Sequence, residues 1–202
     1  MANEQKLTIM LADDHAIIRD GLRSLFEDEP NMTVVGEADN GIAIRQKAHN
    51  LQPDVILMDI SMPDLNGMAT TRLVKQELPD THIIGLSVYS DRQFVVGMLG
   101  AGAEGYLVKS DAFKEVIHAI RRVLKHHIVL SRQVQKIVFR DYQRLLVNNQ
   151  DIKKTLSEEE EKVIHGLLSE KTVDQVAEDL GLDTETVDDL QTKFVRQWLS
   201  MA

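Results

Sequence analysis

Five residues able to do chemistry stand where short apolar runs end: Asp13 and Asp14 in "LADDH", Asp59 in "VILMDI", Ser87 in "IIGLSV" and Lys109 in "GYLVKS". Three carboxylates brought together cannot all stay ionised without a compensating cation. A set of oxygen donors with no His or Cys selects a hard ion, and Mg²⁺ fits. Such an ion completes its shell with water and phosphate oxygens. The chemistry is then phosphoryl transfer, in which metal and ammonium neutralise the transferred group. A carboxylate can itself attack phosphorus and become an acyl phosphate. Singly, each residue has a plainer explanation: "ADD" could cap a helix, Asp59 could belong to a turn, and Lys109 could be a solvated lysine. Five such groups at successive strand ends are not explained that way.

The elements that must position these residues alternate in the α/β manner. "LTIMLA", "MTVVGEA", "PDVILMDI", "HIIGLSV" and "EGYLVK" read as buried parallel strands. Between and after them, five segments carry apolar residues at helical spacing, as in Ile17, Ile18, Leu22, Leu25 and Phe26. Five βα units in about 125 residues make one doubly wound, five-stranded parallel domain, with its site at the carboxyl ends of the strands. Residues 131–149 read as a further helix, with Val134, Ile137, Val138, Tyr142, Leu145 and Leu146 on one stripe. Three more helices follow from Leu156, the size of a small all-α domain. The expected division is 1–125, a helical connector at 126–154, and 155–202.

Composition supports the division. The chain of 202 residues is 43% apolar, has no cysteine and carries a net charge of −9. No disulfide or thiolate metal site is available, no apolar run approaches a membrane span, and the start "MANEQKLTIML" does not read as a signal peptide. A cytoplasmic protein without membrane contact is expected. Residues 1–120 carry −8, residues 121–156 carry +7, and residues 157–202 carry −8. The basic stretch includes Arg121, Arg122, Lys125, Arg132, Lys136, Arg140, Arg144, Lys153 and Lys154. His126 and His127, adjacent at a helix end, read as surface groups favoured by the helix dipole and not as ligands.

"LADDH", "PDVILMDISMPDLNG", "GLSVYSD" and "GAEGYLVK" resemble the receiver domain of two-component response regulators of the NarL/FixJ type, over about residues 5–125. The resemblance implies a flavodoxin-like fold and assigns roles. Asp59 accepts a phosphoryl group from a sensor histidine kinase. Asp14, Asp59 and the backbone carbonyl of Ser61 hold Mg²⁺, with Asp13 acting partly through water. Lys109 pairs with the phosphate, and Ser87 and Tyr106 form the switch. The family commonly dimerises. The protein is expected not to be an enzyme beyond its own phosphorylation and dephosphorylation.

The terminal segment "LSEEEEKVIHGLLSEKTVDQVAEDLGLDTETVDDLQTKFVRQWL" resembles the LuxR-type helix-turn-helix of the same regulators in its apolar frame. Its surface departs from the family. The helix that should enter the major groove presents Asp188, Asp189, Gln191, Thr192, Lys193 and Arg196, and Glu170 replaces a customary glycine. From Thr172 to Ala202 two cations face seven acids. DNA carries one charge per ~1.7 Å, and phosphate contacts position any reading helix. A protein partner for this output domain is therefore the expectation. The alternative is a DNA-binding regulator in which the basic connector supplies the phosphate contacts. Phe194 and Trp198, four apart, read as core or dimer contacts.

Overall fold

The computed structural model describes residues 6–148 and 156–202; Lys153 and Lys154 of the basic stretch lie outside the described residues. Six parallel strands form one sheet in the order β2-β1-β3-β4-β5-β6. They are β1 (Leu7–Ala12), β2 (Met32–Ala38), β3 (Val55–Asp59), β4 (His82–Ser87), β5 (Gly105–Val108) and β6 (Val129–Leu130). The five expected strands are present. The sixth is only two residues long and pairs Gly105 with Val129 and Tyr106 with Leu130. A two-residue strand leaves no periodic signal, so the sequence did not announce it.

Side chains alternate across the sheet with the strand period of two. Ile9, Leu11, Leu57, Ile84, Leu86 and Leu107 face one way, onto α1 (Ala16–Glu27) and α5 (Lys109–Val123). Met10, Ile56, Met58, Ile83 and Tyr106 face the other, onto α2 (Gly41–Leu51), α3 (Gly67–Glu77) and α4 (Arg92–Gly100). Both faces are covered, and β3 at the centre is buried throughout.

The second core does not stop at the sheet. It runs through α6 (Arg132–Asn148) into α7 (Glu158–Leu168), α8 (Val173–Leu180) and α9 (Thr184–Met201). The predicted stripe of α6 is there: Val134, Val138, Tyr142 and Leu146 are buried. Phe139, off that stripe, is equally buried and meets Phe194 of α9 edge-on, with ring centroids 6.3 Å apart. Phe194 and Trp198 are fully buried, as core residues. The indole N–H of Trp198 donates to Asp141 Oδ2 of α6 at 2.8 Å, and Arg92 of α4 also reaches that oxygen, at 2.7 Å.

Local chemistry fixes the terminal helices. Ser157 with Glu160 and Thr172 with Gln175 form reciprocal capping boxes. Asp183 caps α9 by accepting from the Glu185 N–H. Gly181 ends α8 in the left-handed conformation, φ +65°. Glu170, which occupies the customary glycine position after α7, also has a left-handed φ of +61°.

Candidate functional site

Strand register brings the predicted residues together. Ala12 pairs with Met58, so Asp13 and Asp59 come level at the carboxyl edge. Asp59 pairs with Leu86, and Ser87 with Val108, one residue before Lys109. The Lys109 ammonium lies 2.7 Å from Asp13 Oδ2 and 2.9 Å from Asp59 Oδ2. Both carboxylates are almost fully buried, whereas Asp14 is exposed. The two Oδ2 atoms receive no well-directed hydrogen bond among the described residues and meet Lys109 only as an ion pair.

Burial raises the pKa of Asp59; the neighbouring Asp13 adds to this, and Lys109 opposes it. Burial works against the charge on Lys109, but its two carboxylate partners outweigh that and raise its pKa. The pocket is thus an anionic pair held by one internal cation.

Several contacts set its shape. The Ser61 N–H donates to Asp59 Oδ1 at 3.2 Å, which orients the carboxylate. Asn66 caps α3 and Gly67 begins it; a Cβ on Gly67 would stand 2.0 Å from the Asp59 carbonyl oxygen. Only glycine lets α3 start against the end of β3. Arg19 donates to the Asp13 carbonyl at 2.6 Å. His15, which sequence reasoning did not single out, lies 2.7 Å from Asp14 Oδ1 and 3.2 Å from Asp13 Oδ1. Its position immediately after the acidic pair was the available signal.

Asp13, Asp14, His15 and Asp59 place one donor atom each within 4.8 Å of one another. Buried carboxylate oxygens without a directed hydrogen-bond donor, in a set dominated by oxygen, fit a hard divalent cation. Ser87 is buried, and its Oγ accepts from the Tyr89 N–H at 2.9 Å. Tyr106 points inward, fully buried, and its hydroxyl donates to the Tyr89 carbonyl at 2.7 Å. Ser87 and Tyr106 therefore hold the same short segment from its two ends.

The second set of predicted residues lies elsewhere and is split. Asp188, Gln191 and Thr192 are buried, whereas Asp189, Lys193 and Arg196 are exposed. The acidic start of α9 is turned onto the edge of the six-stranded sheet. Thr192 Oγ1 accepts from the Ile128 N–H at 2.8 Å, and Gln191 Nε2 donates to the Ile128 carbonyl at 2.8 Å. Both polar groups of a residue at the sheet's free edge are satisfied by one helix. Asp188 Oδ2 lies 3.1 Å from Arg122 Nε and 3.7 Å from His127 Nδ1.

Burial raises the Asp188 pKa, against the attraction of Arg122 and His127. Arg122 also reaches Asp174 of α8 at 3.0 Å. His127, expected at the surface, is buried at this contact and lies 3.2 Å from Asp189. Part of the basic stretch thus faces the acidic tail within one chain. Asp188 Oδ1, Gln191 Oε1 and His127 Nδ1 find no hydrogen-bond partner among the described residues.

Comparison with known proteins agrees with this geometry. Residues 9–121 match the family model described as the response regulator receiver domain. The response regulator GacA of Pseudomonas viridiflava is 32% identical over 182 residues, covering 90% of this chain and 84% of the relative. A LuxR-family two-component response regulator from Aurantimonas sp. SI85-9A1 superposes with TM-score 0.61 at 31% identity, over 64% of this chain and 93% of that one. A Salmonella typhimurium RcsB response regulator, described by its conformational dynamism for DNA interaction, superposes with TM-score 0.60 at 25% identity, over 97% of this chain and 93% of that one.

Proposed function

Because the chain belongs to the response regulator receiver domain family, matched over residues 9–121, we propose that it accepts a phosphoryl group on Asp59 from a sensor histidine kinase and relays the event to α7–α9. The observation that carries this reading is the buried Asp13–Asp59 pair bridged by Lys109. An Asp59 carboxylate oxygen attacks the phosphorus of a phosphohistidine. The P–N bond breaks, and the imidazole leaves with the bonding electrons and takes up a proton. Lys109 leaves its ion pair with Asp59 for the new phosphoryl oxygens. Asp13, Asp14, Asp59 and the Ser61 carbonyl would hold Mg²⁺, which when bound neutralises charge on the transferred group. Ser87 turns its hydroxyl to the phosphoryl group, releasing the Tyr89 N–H, and the segment gripped by Tyr106 follows. Under this reading the protein acts on no separate substrate.

For the output, we favour a protein-directed role of residues 155–202, with homodimerisation and a cytoplasmic setting. What supports it is the orientation of α9. The side chains that would face DNA bases are turned inward onto Ile128 and Arg122, and Glu185 and Asp189 remain outside. A DNA-directed role, with the helix released on phosphorylation, draws support from the likeness to RcsB and from the three orphaned polar atoms at the contact. Each such atom weakens the docked state by about 1–3 kcal/mol.

Anisotropy of a labelled pool of duplex fragments separates the two, with and without a small phosphodonor, at low and moderate salt. No binding of the phosphorylated protein even at low salt is the result expected. Tight binding with a steep salt slope would overturn the protein-directed output.

A further inference from the structure

The amino ends of the strands, at the opposite pole from Asp59, carry a second group of ligating side chains. His82 opens β4, Glu104 immediately precedes β5, and His126 lies in the turn from α5 to β6. Each offers one donor atom, and these atoms lie within 4.8 Å of one another. His82 is buried, and its Nδ1 is 2.8 Å from Glu104 Oε2. His126 has a left-handed φ of +64°, and its ring centroid stands 5.3 Å from that of His82. A left-handed conformation costs a non-glycine residue roughly 1–2 kcal/mol, so this turn places the imidazole beside His82 against a local penalty.

Two imidazoles and one carboxylate form a ligand set of intermediate softness. It suits Zn²⁺ or a neighbouring first-row ion and not Mg²⁺. We propose that His82, Glu104 and His126 bind a transition-metal ion of the Zn²⁺ class, with water in the fourth position. The metal would take the place of the direct His82–Glu104 contact. Ligands at ~2.0–2.2 Å in a tetrahedron stand about 3.3 Å apart, so donor atoms that lie within 4.8 Å must close by up to about 1.5 Å, while His82 Nδ1 and Glu104 Oε2, 2.8 Å apart, open slightly. The exposed His126 side chain, on a turn, can supply that movement. Lys75 lies 3.8 Å from Glu104 Oε2, but its ammonium is held by the carbonyls of Pro79 and Thr81 at 2.8 and 3.0 Å.

The position gives the ion a consequence. His126 adjoins His127 and Ile128, the two residues that α9 grips. An ion joining His126 to β4 and to the start of β5 fixes the platform on which the acidic helix is docked. The metal is therefore a ligand of the docked arrangement and stabilises it by mass action.

The full chain, with excess Mg²⁺ present to occupy the Asp13–Asp14–Asp59 pocket, is titrated with Zn²⁺ against a chromophoric chelator, and separately with Co²⁺. One equivalent of Zn²⁺ with micromolar or tighter affinity is expected, together with the intense visible bands of four-coordinate Co²⁺. His126→Gly accepts the left-handed turn, so it preserves folding while removing a ligand. Affinity should fall by more than about a hundredfold, beyond the range for losing a mere supporting contact. Glu104→Gln should also weaken binding. The proposal is overturned by weak six-coordinate Co²⁺ bands, by unchanged affinity in His126→Gly, or by binding that disappears only in Asp14→Asn, which would place the ion in the acidic pocket.

Discussion

Arg122→Ala tests whether the acidic start of α9 is held inside the protein. Asp188 is almost fully enclosed, its side chain 4% exposed, and Arg122 Nε is 3.1 Å away. At an effective dielectric of ~20 and this separation the attraction is about 5 kcal/mol. The cost of desolvating both groups offsets much of it while both are present. Removing Arg122 leaves Asp188 buried with only His127 beside it, at 3.7 Å; breaking a buried pair costs about 3–5 kcal/mol, and the remaining contact places the loss toward the lower end. Loss of the Arg122–Asp174 contact adds under about 1 kcal/mol, because Asp174 is half exposed.

The loss depends on pH. Burial already raises the Asp188 pKa, and Arg122 is the largest opposing influence. Without it the pKa rises further. A group with a raised folded-state pKa favours folding below its unfolded value, and that advantage is lost as pH rises through the folded value. The variant should therefore be close to wild type in mild acid and fall behind as pH rises to neutrality. Trp198, the chain's single tryptophan, sits on α9 and reports the contact by fluorescence during urea unfolding. Replacing the pair together, Arg122→Met with Asp188→Leu, should recover most of the loss. A single-variant loss below about 1 kcal/mol at neutral pH, or one that does not change with pH, would refute the buried pairing.

Other substitutions probe the remaining parts. Asp59→Asn removes a carboxylate that burial keeps at a raised pKa. Wild-type stability should decline as pH rises through that pKa, and the variant should show a flatter profile and a higher Tm at neutral pH. A lower Tm would contradict this. Gly67→Ala places a methyl 2.0 Å from the Asp59 carbonyl and should cost about 1–3 kcal/mol in denaturant unfolding; a neutral result would mean that α3 does not abut the strand end. Glu170→Gly relieves a left-handed φ and should raise stability by roughly 0.5–1 kcal/mol after the entropy of the added glycine, despite losing the contact to Lys136. A fall in the urea midpoint would show that this ion pair outweighs the backbone.

The pocket at the carboxyl edge could be read from the sequence because two short-range rules suffice. Apolar runs locate the strands, and parallel order sends the residue after each run to one edge. Asp13, Asp59, Ser87 and Lys109 needed nothing more. The α9 contact could not be read this way. Asp188, Gln191, Thr192 and His127 look like surface residues in any local window; the first three meet Arg122 and Ile128 across more than 60 positions of sequence, and His127 meets Asp188 across as many. An acidic tail facing a basic stretch was legible as opposite net charges, but the groups that meet, Asp188 with Arg122 and His127, were not. Strand β6 was hidden for a related reason: its two residues gain meaning only by pairing with β5.

The most direct test is intact-mass analysis of the full chain after incubation with Mg²⁺ and a small-molecule phosphodonor, repeated for Asp59→Asn. One phosphoryl group on the wild type, none on the variant, and none when Mg²⁺ is chelated is the predicted result. A wild type that stays unmodified at high phosphodonor, or that is modified equally in Asp59→Asn, would contradict the assignment of Asp59 as the residue through which this protein receives its signal.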